Sequence, residues 1–176
     1  ITNVDYCEEN HAKAYDVNVN GIKNLISCSK NSSYIIQIST DYVFDGNKKL
    51  YSEKDLPMPL NYYGRTKLEA ENILRGSRRK YLIIRTNVIY SENLYHNSFF
   101  SWVYKSLESS SEISVINDQF SNPAYVNNLA ELIFQCILVK YEGLLNYGSS
   151  DTLSRYEFAC LIAETFNFNK KLINSI

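Results

Sequence analysis

Tyr63 and Lys67 stand four residues apart, the spacing that brings two side chains onto one face of a helix. A lysine ammonium beside a phenol favours the phenolate and lowers the tyrosine pKa from its ordinary value of about 10. That makes the phenol a usable proton donor or acceptor near neutral pH. Thr40, at the end of a β-branched run, offers a hydroxyl able to hydrogen-bond the same substrate oxygen. Together the three can polarise a carbonyl and protonate the alkoxide formed when a hydride arrives from a cofactor. In a chain with fifteen tyrosines and twelve lysines the Tyr-x-x-x-Lys spacing alone is at chance level, so its weight depends on the elements around it.

Those elements alternate. Glu8 to Lys30 reads as one helix, with Tyr15, Ile22, Leu25, Ile26 and Ser29 near one face. Tyr34 to Ser39 reads as a buried strand, followed by a long loop from Thr40 to Leu60 that holds Gly46, Pro57 and Pro59. A helix from Tyr62 to Arg75 is closed by Gly76 as its C-cap, and Tyr81 to Thr86 is a second buried strand. Ser98 to Glu108, Val126 to Lys140 and Ser154 to Phe166 read as helices, with strands at Ile113 to Ile116 and Leu144 to Tyr147 between them. The ending, Lys171 to Ile176, looks like a further element. Strands separated by such helices imply parallel pairing through right-handed crossovers, an α/β sheet covered on both faces. Ligands of such sheets collect beyond the carboxyl ends of the strands. Two of those ends, Ser39-Thr40-Asp41-Tyr42 and Arg85-Thr86-Asn87, are unusually polar.

Composition narrows the partners. A hydrophobic fraction of 45% and a charged fraction of 21% are ordinary for a packed globular chain. A formal net charge of -1 gives no electrostatic reason to expect nucleic acid or an anionic membrane. The one basic cluster, Arg75 to Lys80, suits a solvated helix terminus better than a phosphate site. Cys7, Cys28, Cys136 and Cys160 form no C-x-x-C pair, and those on helices are expected to be buried free thiols. With no signal peptide and no apolar bilayer-length run, a reducing cytoplasm is the expected location, and the sequon at Asn31 carries little weight. His11 and His96 lie in no ligand-spaced cluster and are expected to be surface residues, so no metal site is expected.

The wider motifs are more specific. Ile38-Ser39-Thr40-Asp41-Tyr42-Val43-Phe44-Asp45-Gly46, followed by Pro59-Leu60-Asn61-Tyr62-Tyr63-Gly64-Arg65-Thr66-Lys67-Leu68-Glu69-Ala70-Glu71, resembles the dTDP-4-dehydrorhamnose reductases. These are extended short-chain dehydrogenase/reductases. The resemblance extends over nearly the whole chain, through Val4-Asp5 with Glu8, Asn18-Val19-Asn20-Gly21, Arg85-Thr86, Asn117-Asp118-Gln119 with Pro123, and Tyr156-Glu157-Phe158-Ala159. It implies a partial Rossmann-like, doubly wound parallel sheet in three α/β/α layers, with a small C-terminal substrate-binding part. Residues 1–90 would be the later part of the NAD(P)-binding domain. Residues 91–176 would add the last sheet strands and the substrate-binding part, with no clear boundary.

The resemblance also implies roles. Tyr63 is the expected proton donor, and Lys67 the residue that lowers its pKa and bonds the nicotinamide ribose. Thr40 is the hydroxyl that tunes the tyrosine and contacts the sugar, with Asp41 and Tyr42 in the same substrate site. On the residues alone, Thr40 and Asp41 read first as a strand-end turn or helix-type cap. The implied cofactor is NADPH or NADH, the implied substrate a dTDP-linked keto sugar, and a homodimer stays open. Tyr42 separates this chain from sugar-nucleotide dehydratases, which carry Thr-Asp-Glu there, and Thr40-Asp41-Tyr42-Val43-Phe44 differs from the Ser-Ser pattern of epimerases.

Two departures stand out. Val88 occupies the place where the family's Arg-Thr-Ser-Trp carries a substrate-holding tryptophan, so it offers no flat surface and no indole donor. The family's Gly-x-Pro-Thr becomes Ser121-Asn122-Pro123-Ala124. Nor do the six glycines form a Gly-x-Gly-x-x-Gly turn. The sequence is therefore expected to be a fragment lacking the glycine-rich N-terminal half and the C-terminal end, inactive alone. A different class remains: the regulatory subunit of methionine adenosyltransferase resembles the same family and is not a reductase.

Overall fold

The structure, a computed structural model, describes residues 1–94 and 98–176. The reading made for His96 lies outside the described residues. Two compact units are present: residues 1–86 with 136–146, and residues 87–135 with 147–176.

In the first unit the helical N-terminal stretch is not one helix. α1 (Val4–Glu9) stops at Asn10, whose backbone at φ -127°, ψ 57° leaves the helical region, and α2 (His11–Tyr15) restarts beyond it. A π turn over Asp16–Asn20 leads into α3 (Gly21–Cys28). The wide turn presents Asn18, whose amide donates to Thr66 Oγ1 at 3.0 Å. β1 (Tyr34–Thr40) pairs in parallel with β2 (Lys80–Thr86), from Tyr34 opposite Lys80 to Thr40 opposite Thr86. β7 (Gly143–Tyr147) completes the sheet beside β2.

Between β1 and β2 runs α4 (Tyr62–Gly76). It lays Ala70 and Leu74 on Ile35 and Ile83, with Ile22 of α3 in the same cluster. Leu82, Ile83 and Ile84 are all fully buried, as expected of a strand covered on both faces. α4 does not stop before Gly76 as expected. It includes that glycine, Ser77 caps it, and Arg78 supplies the left-handed residue at φ 58°. The basic cluster is largely solvated as expected, with Arg75, Arg78 and Lys80 exposed and Arg79 half-buried. Arg79 reaches back to Asn31 and to the carbonyls of Ile26 and Ser29, closing the carboxyl end of α3.

The second unit has an aromatic core. α5 (Phe99–Glu108) and α7 (Arg155–Thr165) pack Phe100, Val103 and Leu107 against Phe158, Ala159 and Ile162. Each begins with a reciprocal cap, Ser98 with Ser101 and Ser154 with Glu157. β4 (Ile113–Val115) pairs in parallel with β9 (Ile173–Ser175), so the closing apolar run is a strand. Four two-residue strands missed in the sequence form two short ladders: β3 (Ile89–Tyr90) with β6 (Ala124–Tyr125), and β5 (Phe120–Ser121) with β8 (Leu153–Ser154). The altered Asn122 ties the latter region together, its amide donating to Asp151 O at 2.9 Å and Thr152 Oγ1 at 3.1 Å. α6 (Val126–Leu138) carries the chain back into the first unit. No helix of the described residues is long and apolar enough to cross a membrane.

Of the cysteines, Cys7 and Cys136 are buried and Cys160 is half-buried, but Cys28 is exposed on α3 rather than buried as expected. All four are free thiols.

Candidate active site

The polar carboxyl end of β1 and the amino end of α4 meet in the first unit. Thr40 ends the strand and caps a single 3-10 turn over Asp41–Val43, accepting from Tyr42 N at 3.2 Å. The capping role allowed for Thr40 is thus filled, and the same hydroxyl faces the Tyr63 phenol. It also donates to Asp41 Oδ1 at 3.2 Å. Asn61 caps α4 through Gly64 N at 2.8 Å, while Glu8 of α1 accepts from Tyr62 N. A carboxylate there complements the positive end of the helix. Gly64 is required by close approach: a Cβ on it would lie 2.1 Å from the Tyr42 carbonyl oxygen. The glycine lets α4 start directly against the Asp41–Val43 turn.

Tyr63 is 7% exposed, its ring packed with Cys7 and Ala14 and edge-on to Tyr42 at 5.8 Å. Burial pushes its phenol above the ordinary tyrosine value, the hydrogen bond with Thr40 pulls it back, and Asp41, Cys7 and Tyr42 raise it further. This reverses the lowering expected from Lys67. The Lys67 ammonium instead donates to the Ile38 carbonyl at 2.7 Å and is not among the groups that shift the phenol. Burial holds Lys67 below the ordinary lysine value, and the Glu71 carboxylate pulls it back up.

Behind this site lies a pair that the sequence reading did not single out. Glu71 is fully buried and takes Arg85 Nη2 at 2.7 Å and Nε at 3.0 Å, together with Ser39 Oγ at 2.5 Å. Phe44 lies 5.0 Å beneath the Arg85 guanidinium. Its signal in the sequence was a carboxylate on the Ala70–Leu74 face of an amphipathic helix, where burial demands a charged partner. Arg85 Nη1 and Thr86 Oγ1 are buried with no partner among the described residues.

The structure thus brings Thr40, Asp41, Tyr42, Tyr63 and Lys67 together within the first unit. Val88 belongs to the second unit. It sits at φ 38°, an uncommon conformation for a β-branched residue, held by Ala124 N donating to its carbonyl at 3.3 Å and by packing on the aromatic core. His11 stacks on Tyr62 with ring centroids 3.8 Å apart, a partner the sequence reading did not foresee. Among the described residues, no three His, Cys, Asp or Glu side chains gather as a metal site would need.

The chain is similar to known proteins. The chain is 33% identical to a dTDP-4-dehydrorhamnose reductase of Aggregatibacter actinomycetemcomitans, over 99% of this chain and 63% of that protein. It is 30% identical to the methionine adenosyltransferase 2 subunit beta of Danio rerio, over 93% of this chain and 52% of that protein. The crystal structure of dTDP-4-dehydrorhamnose reductase from Bacillus anthracis in complex with NADP superposes with a TM-score of 0.93 at 30% identity, covering 100% of this chain and 62% of that one. This bears out the expected Rossmann-like α/β architecture. The chain spans less than two thirds of the length of each. The RmlD substrate binding domain family matches residues 1–176, and the chain belongs to that family.

Proposed function

We propose that the protein carrying this chain is a reductase that transfers a hydride from NADPH or NADH to the 4-keto group of a dTDP-linked 6-deoxy sugar, giving dTDP-rhamnose from dTDP-4-dehydrorhamnose. The observation that carries this is the buried Tyr63 phenol beside the Thr40 hydroxyl, with Lys67 one helical turn on. The relatives named above support it.

The donor set suits the nicotinamide end of such a cofactor: a phenol, a hydroxyl and a half-buried ammonium at the carboxyl edge of a parallel sheet, where Thr86 Oγ1 also has no partner among the described residues. Nothing in the chain supplies the glycine-rich turn for the pyrophosphate. When bound, the cofactor supplies the hydride. Tyr63 then gives its proton to the developing alkoxide, and its raised pKa keeps that proton in place through neutral pH. Thr40 would turn its one hydroxyl proton from Asp41 to the same oxygen, and Lys67 would hold the ribose with Tyr63. Asp41 and Tyr42 line the sugar side. Val88, which the family resemblance assigns to the substrate, is a smaller side chain than the tryptophan it replaces.

Tyr63→Phe in the full-length protein is expected to lower turnover on the order of 10²- to 10⁴-fold with cofactor binding nearly intact. Retained NADPH oxidation with the keto-sugar nucleotide would sink the assignment. Residues 1–176 alone are expected to show none.

A second reading is favoured by the similarity to methionine adenosyltransferase 2 subunit beta. In it the chain is part of a non-catalytic regulatory subunit. Capture of a methionine adenosyltransferase by the full-length protein, together with absent sugar reduction, would select it.

A further inference from the structure

Glu71 is the one fully buried carboxylate on α4 and stands four residues beyond Lys67. Its Oε1 accepts from Ser39 Oγ on β1 at 2.5 Å and from Arg85 Nε on β2 at 3.0 Å. Its Oε2 accepts from Arg85 Nη2 at 2.7 Å, with Arg75 Nη2 at 3.5 Å. Three elements therefore converge on one carboxylate. A buried ion pair is a poor device for stability, because matched apolar side chains in its place are often as stable or more so. This pair sits where an apolar contact would serve packing, on the face that carries Ala70 and Leu74.

Its connections lead to the reaction site instead. Ser39 precedes Thr40 in the strand, and Arg85 precedes Thr86, the register partner of Thr40. Lys67, on the same helix, is held to the carbonyl of Ile38, the residue before Ser39. We propose that Glu71 is a positioning residue for Thr40, Tyr63 and Lys67, clamping the carboxyl ends of β1 and β2 to α4 through Ser39 and Arg85 and keeping a negative charge one turn from Lys67. The proposal rests on the reductase reading for its kinetic consequence, but not for its electrostatic one.

The groups that act on Lys67 are the Ile38 carbonyl on β1 and Glu71 on α4. Those that act on Tyr63 are Thr40, Asp41 and Tyr42 at the strand end and Cys7 on α1. Arg75 and Arg85 complete the surroundings of Glu71. Removing the Glu71 charge therefore acts on Lys67 and leaves the direct neighbours of Tyr63 in place. The sign is downward, because Glu71 is the group that offsets the effect of burial on Lys67.

The test uses the full-length protein with Glu71→Gln and the double variant Glu71→Leu/Arg85→Met, the second chosen to keep the core folded without the ion pair. The Lys67 amine is titrated by reductive methylation at graded pH and read by mass spectrometry, beside urea unfolding and steady-state kinetics. In both variants the Lys67 labelling midpoint is expected to fall below that of the wild type. The value of kcat is expected to drop about tenfold with little change in KM, as for loss of an interaction made in the transition state. In the double variant stability recovers while kcat stays low. A labelling curve that matches the wild type, or kcat that recovers together with stability, overturns the proposal. Failure of the reductase reading would show separately, as absent NADPH oxidation by the wild type with the labelling result unaffected.

Discussion

The two units bury different things. The first places Ser39, Thr40, Thr66, Glu71, Arg85 and Thr86 out of solvent, most of them around the carboxyl ends of β1 and β2. In the second, the main buried cluster is entirely apolar, from Phe100 through Phe158 to Ile173, and two of its buried serines, Ser101 and Ser154, belong to helix caps. Buried polar groups need partners whose geometry is satisfied everywhere at once, whereas apolar groups need only matched volume. The first unit is therefore built to hold particular atoms in place. The second is built to be a firm body.

This contrast can be broken by substitution. Phe158→Ala removes a buried ring that touches Tyr90 and Phe99, and should cost about 3–5 kcal/mol in urea unfolding. A much smaller loss would mean that the second unit's core is looser than its contacts imply. Gly64→Ala should cost less, about 1–3 kcal/mol, because α4 must move off the Tyr42 carbonyl. Its effect on turnover in the full-length protein should exceed its effect on stability, since the shift separates Tyr63 from Thr40. Comparable turnover to wild type would deny the first unit its positional demand. Ser154→Ala, which removes one half of the cap on α7, should cost about 1 kcal/mol and leave KM and kcat alone.

Much of the fold was legible because hydrophobic periodicity reports burial directly. Tyr34 to Ser39 and Tyr81 to Thr86 are strands within a residue of their expected ends, and the helix carrying Tyr63 and Lys67 starts at Tyr62 as expected. The break at Asn10 and the π turn at Asp16–Asn20 were not legible, since both preserve enough apolar spacing to read as one helix. The two-residue ladders such as β3 with β6 were too short for any period to register. The burial of Glu71 was not legible, because a helical carboxylate looks solvated until its face is known to be buried.

What the sequence by itself determined was the set of reactive side chains, their order along the chain, the α/β alternation that puts Thr40 at a strand end and Tyr63 at a helix start, and the family. What only the tertiary structure decided was the electrostatic state of those side chains. The spacing of Tyr63 and Lys67 argued for a lowered phenol, yet the folded chain turns Lys67 to the Ile38 carbonyl and buries Tyr63 beside Asp41, so its proton is held more tightly. The reason is that a pKa depends on desolvation and on charges within a few ångströms, and in this chain those come from α1, β1 and the turn after it. Sequence spacing sets which groups share a helix face; packing sets which of them interact.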